Sequence, residues 1–91
     1  MSTYVLELKF DRDNARRMEV RPAHRDHLKE LLDQGKLIMA GPWGDDSGAM
    51  IILNVQDETE ARSIIAKDPY THADCVTVAS LRPWTPILPA P

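Results

Sequence analysis

Two ionisable residues stand at positions where a helical pattern calls for apolar ones. In RPAHRDHLKELLDQG (21–35), His24 heads a stripe that continues through Leu28, Leu31 and Leu32, the i, i+4, i+7, i+8 spacing of one helix face. In ETEARSIIAKDPY (58–70), Asp68 extends the face of Ala61, Ile64 and Ile65 by the same rule. An imidazole and a carboxylate that both turn inward can pair, and the carboxylate then fixes the ring tautomer and leaves an acid or base able to work near neutrality. A group so positioned is worth about 10² to 10⁴ in rate. A charge pair at about 4 Å contributes about 4 kcal/mol at an effective dielectric of 20, whereas a helix N-terminus opposes a protonated ring by only about 0.3–1 kcal/mol. The plainer alternatives are an interhelix clamp without chemistry, and an Asp-Pro pair that merely ends a helix.

Whether the two residues meet depends on the elements that carry them. Tyr4, Leu6, Leu8 and Phe10 alternate with Val5, Glu7 and Lys9, the period of a half-buried strand. DRDNARRMEV (11–20) follows as a polar connection with room for a helical turn. Pro22 suits the first position of a helix and Gly35 the residue just past its end. KLIMAGPWGDDSGAMIILNV (36–55) reads as two strands around a Gly- and Asp-rich turn, with Gly41 and Pro42 closing the first. Asp57 and Glu60 have the spacing of a capping box for a second helix, which Pro69 stops. CVTVASLRPW (75–84) supplies a fourth strand, and residues 83–91 form a Pro-rich tail.

The order strand, helix, strand, strand, helix, strand predicts an α+β ferredoxin-like split βαβ fold (βαββαβ): a four-stranded antiparallel sheet with both helices on one face. Its helices run antiparallel, which brings His24 beside Asp68 at one end of the pair, where AGPWG (40–44) also arrives. On the sheet's other face Ile38, Ala40, Met50, Ile52 and Ala79 make an apolar patch, and a patch of that extent predicts a sheet-to-sheet homodimer. The chain of 91 residues is a single domain, 43% hydrophobic and 27% charged, in the ordinary globular range. A net charge of −3 without a dense Lys/Arg run argues against nucleic acid as partner. No apolar run approaches the roughly 18 residues of a membrane span, no export signal is visible, and one cysteine, Cys75, cannot form an internal disulfide. These features predict a reducing, cytoplasmic setting.

The set RPAHRDHL (21–28), Gly35, AGP (40–42) and DPY (68–70) resembles the YciI-like (YCII-related) proteins over nearly the whole chain, in the family's order and approximate spacing. The resemblance implies a ferredoxin-like protomer in a dimeric α/β barrel, and a His/Asp active site that maps onto His24 and Asp68. It further implies a possible reaction type, since one activity of the family is dehydrochlorination of a chlorinated hydroxyhydroquinone during aromatic degradation. The barrel is also shared with muconolactone isomerase-like enzymes. The connection GPWGDDSGAM (41–50) is shorter here than in many members.

On this reading the chain is a cofactor-free lyase acting on a small phenolic or anionic molecule, with His24 and Asp68 as its acid–base pair. Arg21 and the amides opening the helix would stabilise a phenolate or the departing chloride. Arg21, Gly41, Pro42, Trp43 and Tyr70 are the substrate-binding candidates, although Tyr70 also suits a packed aromatic and Trp43 a plug at the barrel end. His24, His27 and His72 lack the spacing of a zinc site, and no metal is expected. The alternatives are a muconolactone isomerase-like activity, a non-catalytic module binding a small molecule, and a dimeric scaffold in which the pair is structural.

Overall fold

The computed structural model describes residues 1–11 and 14–89, with only the backbone described at Asn14. Strand β1 (Ser2–Phe10) is followed by helix α1 (Asn14–Asp33), β2 (Leu37–Pro42), β3 (Gly48–Val55), α2 (Glu58–Lys67), a 3₁₀ turn (Pro69–His72) and β4 (Val76–Trp84). The four strands form one antiparallel sheet in the order β2-β3-β1-β4. Leu6, Leu8 and Phe10 of β1 and Ala49, Ile51, Leu53 and Val55 of β3 share a core with Leu31 of α1 and with Ala61 and Ile64 of α2. Both helices therefore cover the same face, and the α+β ferredoxin-like fold is as the element order predicts.

Helix α1 departs from expectation at its start. Pro22 lies inside the helix, which begins eight residues earlier, at Asn14. A proline within a helix deprives the carbonyl four residues back of its donor. Here that carbonyl belongs to Met18 and Pro22 is exposed, on a side where water can reach the backbone. The upstream turn has its own anchor in Arg17, which is buried at 2% exposure. The burial stripe is also narrower than expected. At 100° per residue Leu28 and Leu31 lie within about 40° of His24, whereas Leu32 lies about 80° away, and Leu32 is 54% exposed. Gly35 ends the helix at φ 75°, where its amide reaches the Leu32 carbonyl and that of Lys36 the Leu31 carbonyl.

Helix α2 is capped as its sequence specifies. Asp57 accepts from the Glu60 amide at 2.9 Å, while the Glu60 carboxylate reaches back to the Gln56 amide, also at 2.9 Å. Asp68, extended before Pro69, ends α2, and Pro69 then opens the 3₁₀ turn. Strand β4 keeps Pro83 and Trp84 in its ladder, so the Pro-rich segment leaves the sheet at Thr85.

Two irregularities in the sheet change which residues share a face. The β2–β3 register shifts between Leu37 and Met39, and the β1–β4 register shifts opposite Glu7 and Leu8, leaving Ala79 as the extra residue. Ala40 pairs with Ile51, on the helix-covered side, and Met39 takes its place opposite Ile52. The open face accordingly carries Val5, Met39, Met50, Ile52 and Trp84. Of the residues expected there, Met50 and Ile52 hold their places, Ala40 belongs to the other side, and Ile38 and Ala79 sit at the irregularities.

Gly48 begins β3 where a Cβ would run into the Leu8 carbonyl. Gly48→Ala is expected to lower stability by about 1–3 kcal/mol, the usual cost of overpacking. Gly41→Ala, whose added methyl meets nothing within 4 Å, should leave the melting temperature nearly unchanged. Thermal denaturation of the two variants side by side checks this.

Candidate functional site

The two inward-turned ionisable residues meet. His24 and Asp68 are each 6% exposed, and His24 Nδ1 donates to both carboxylate oxygens of Asp68, at 2.8 and 2.9 Å. An ionised carboxylate has no proton to give, so Nδ1 carries the hydrogen and Nε2 keeps its lone pair in the neutral ring. Among the described residues nothing hydrogen-bonds Nε2. The meeting place differs from the one expected. His24 lies in the middle of α1 rather than in its first turn, and the helical segment packed most closely on α1 is the 3₁₀ turn beyond α2. The amides that open α1 are therefore remote from the ring, and the helix N-terminus takes no part in this pair.

Asp68 holds its position because it serves three structures at once. Its backbone closes α2 onto the Ile65 carbonyl, its Oδ1 accepts from the Tyr70 amide at 2.9 Å to start the 3₁₀ turn, and its carboxylate takes the His24 proton donor. The turn then lays the Tyr70 ring flat on the imidazole, with centroids 3.8 Å apart and planes 8° from parallel. Phe10 meets Tyr70 edge-on at 5.9 Å.

Beyond Tyr70 lies Arg17. Its guanidinium stands 4.1 Å over the Phe10 ring, lies near the Tyr70 phenol, and donates from Nη2 to Asp46 Oδ2 at 2.7 Å. Burial of Arg17 disfavours its charge, but the Asp46 carboxylate and the neighbouring Tyr70 oxygen together outweigh this and hold it above its ordinary pKa. Burial pushes the Tyr70 phenol up, against the pull of the nearby Arg17 and Arg21 charges. The phenol therefore stays protonated at neutral pH.

These groups border a cavity of about 310 Å³. His24, Tyr70, Arg17, Arg21 and Arg25 line one side, and Ala40, Gly41 and Pro42 of β2 with Ala49 and Ile51 of β3 line the other. Of the candidates read from sequence, Arg21, His24, Gly41, Pro42 and Tyr70 are brought together on its wall, with Asp68 behind the imidazole. Trp43 is outside the lining, 41% exposed on the turn beside Gly48. Sequence reading missed Arg17, Arg25 and Asp46. The i, i+4, i+8 spacing of Arg17, Arg21 and Arg25 carried the signal, but it is visible only if α1 extends upstream of Pro22. The other histidines stand apart: His72 Nε2 donates to the Ala66 carbonyl at 2.9 Å, and no cluster of three His, Cys, Asp or Glu able to hold a metal occurs among the described residues. Cys75 is buried just before β4. No helix among the described residues is long and apolar enough to cross a membrane.

Residues 2–85 match the YCII-related domain. The chain is similar to the derivative of benzaldehyde biosynthesis cluster protein C of Emericella nidulans, 32% identical over 73 residues that cover 68% of this chain and 74% of that protein. It is also similar to Protein YciI of Escherichia coli, 30% identical with 89% and 94% of the two chains covered. Among solved structures, 5-chloro-2-hydroxyhydroquinone dehydrochlorinase (TftG) from Burkholderia phenoliruptrix, in complex with 2,5-dihydroxybenzoquinone, superposes with a TM-score of 0.71 at 24% identity, over 90% of this chain and 93% of that one.

Raising the phenol's pKa in the fold links stability to pH in one direction only. The folded chain keeps the Tyr70 proton to higher pH than the unfolded one, so this contribution is whole below about pH 10 and is lost as pH rises beyond it. Tyr70→Phe is expected to show a shallower loss of stability than wild type as the pH rises above about 10. Urea titrations across that range provide the comparison.

Proposed function

The chain belongs to the family of YCII-related domains, and we propose that it is an acid–base enzyme acting on small hydroxylated aromatics, with His24 as the proton-transfer group and Asp68 as its orienting partner. One observation carries the reading: Asp68 holds Nδ1 of His24 with both oxygens while the ring borders a cavity of about 310 Å³. Nε2 is then the nitrogen that exchanges protons with a substrate. The aromatic connection draws support from the ligand and name of TftG and from the benzaldehyde-derivative cluster after which the fungal relative is named.

The most concrete reaction is loss of HCl from a chlorinated hydroxyhydroquinone. Nε2 accepts the proton of the hydroxyl ortho to chlorine, the oxygen becomes a carbonyl, and the proton is delivered to the carbon that bears chlorine. The hydroxyl para to that carbonyl next gives up its proton. Its electron pair forms a second carbonyl and shifts the ring double bond, and chloride leaves with the C–Cl pair. The product is a hydroxyquinone, and the sum is one proton and one chloride with no external oxidant. Tyr70, through its O–H, and Arg21 would stabilise the phenolate that forms in the first step. Gly41 and Pro42 would form the facing wall, and Trp43 would have no direct part in binding.

In this reading the chain works as a homodimer in the cytoplasm. Val5, Met50 and Trp84 border a second, shallower depression on the open sheet face, with Glu7 and Arg82 paired at 3.1 Å beside them, and a second copy covering this face would bury it.

Anaerobic assay of chloride release from 5-chloro-2-hydroxyhydroquinone tests the chemistry. Wild type is expected to release chloride above the blank, and His24→Ala and Asp68→Asn to lose about 10² to 10⁴ in kcat. Full turnover by a folded His24→Ala variant would remove the dyad from the mechanism. For the assembly, sedimentation should give twice the chain mass for wild type and the single-chain mass for Trp84→Glu.

A further inference from the structure

Arg17 has no part in the proton transfer proposed for His24, yet it is the most thoroughly buried cation of the site. Its side chain is 3% exposed, and two of its partners, Phe10 and Tyr70, belong to the folded core. Asp46 is of another kind. It lies on the turn between β2 and β3, at φ 60°, with its side chain 55% exposed. An exposed carboxylate regains its hydration on leaving a partner, so little holds it there except the guanidinium itself. Among the described residues it is also the one carboxylate in the cavity lining, against three arginines, Arg17, Arg21 and Arg25.

We propose that Asp46 is a resident counter-ion on a carboxylate-binding position of Arg17, and that an anionic group of the substrate takes its place. The cavity would then select hydroxylated aromatics that carry a carboxylate or an equally acidic enolate over neutral phenols. A guanidinium offers a planar donor fork to any such group, and Tyr70, stacked on the His24 ring, lines the same cavity beside this position. An acid held at Arg17 would extend its ring toward the imidazole. The inference rests on the cavity being the substrate site, as proposed above, but not on which proton His24 moves.

Calorimetric titration of the full chain with 2,5-dihydroxybenzoate and with 1,4-dihydroxybenzene separates the charged group from the ring. Removing the internal competitor in Asp46→Asn is expected to tighten 2,5-dihydroxybenzoate by about fivefold or more, because the binding-competent fraction rises. The Kd for 1,4-dihydroxybenzene should stay within about twofold, since that probe has no group to compete with Asp46. Asp45→Asn is the control for net charge: it removes the same charge from the same turn, but Asp45 faces the Ser47 amide at 3.0 Å and should leave both constants unchanged. Unchanged or weaker binding of the acid to Asp46→Asn would overturn the proposal. Equal tightening of both probes would also overturn it, by reducing the effect to a loosened turn, as would equal tightening by Asp45→Asn, by reducing it to net charge. Absence of binding by either probe to both wild type and Asp46→Asn rejects it outright. Loss of the dyad mechanism would leave it standing, because chloride release can survive in His24→Ala while Asp46→Asn still sharpens the preference for the acid.

Discussion

A carboxylate at 6% exposure must be compensated, and almost everything at this site follows from how Asp68 is compensated. Removing one member of a buried charged pair costs about 3–5 kcal/mol, because the survivor is left without water or partner. Asp68 avoids that cost with the Nδ1–H of His24 and the amide of Tyr70. The first bond ties α1 to the end of α2 across 44 residues of sequence, and the second winds the chain into the 3₁₀ turn. The geometry of the imidazole is therefore fixed by folding and needs no ligand to organise it.

From that pair the polar groups continue as a layer. The Tyr70 ring covers the imidazole, Arg17 covers Phe10 near the Tyr70 phenol, and Asp46 closes the far side from the β2–β3 turn. Each contact limits the freedom of the next, as befits groups in a medium of low dielectric where an unpaired donor is costly. The apolar wall opposite, from β2 and β3, offers shape without competing hydrogen bonds. A cavity with convergent polar groups on one wall and aliphatic ones on the other suits a flat molecule with oxygens along its edge.

The two faces of the sheet divide the work. The helix-covered face supplies the core and the cavity, and the open face keeps Val5, Met50, Ile52 and Trp84 in a row that the two register shifts help to define. A one-residue shift moves a strand's pattern from one face to the other. At β2 this shift places Ala40 on the cavity wall and Met39 on the open face, so one irregularity shapes both surfaces.

The sequence alone determined the order of elements, because alternation in LELKF and helical spacing in HRDHLKEL are local properties, and the caps at Asp57 and Gly35 are read within four residues. It also singled out His24 and Asp68, since an ionisable residue interrupting an apolar stripe is visible in one dimension. The start of α1 was not legible. Pro22 is a strong local signal for a helix N-terminus, and what overrides it is the burial of Arg17 against Phe10, Tyr70 and Asp46, residues from three distant segments. The displacement of Ala40 and the exclusion of Trp43 were hidden for a related reason, since a register shift and the path of a turn depend on strand partners rather than on neighbours in sequence. The tertiary structure thus decided which charges gather at the cavity, because burial of a guanidinium or a carboxylate is settled by partners that only the folded chain brings within reach.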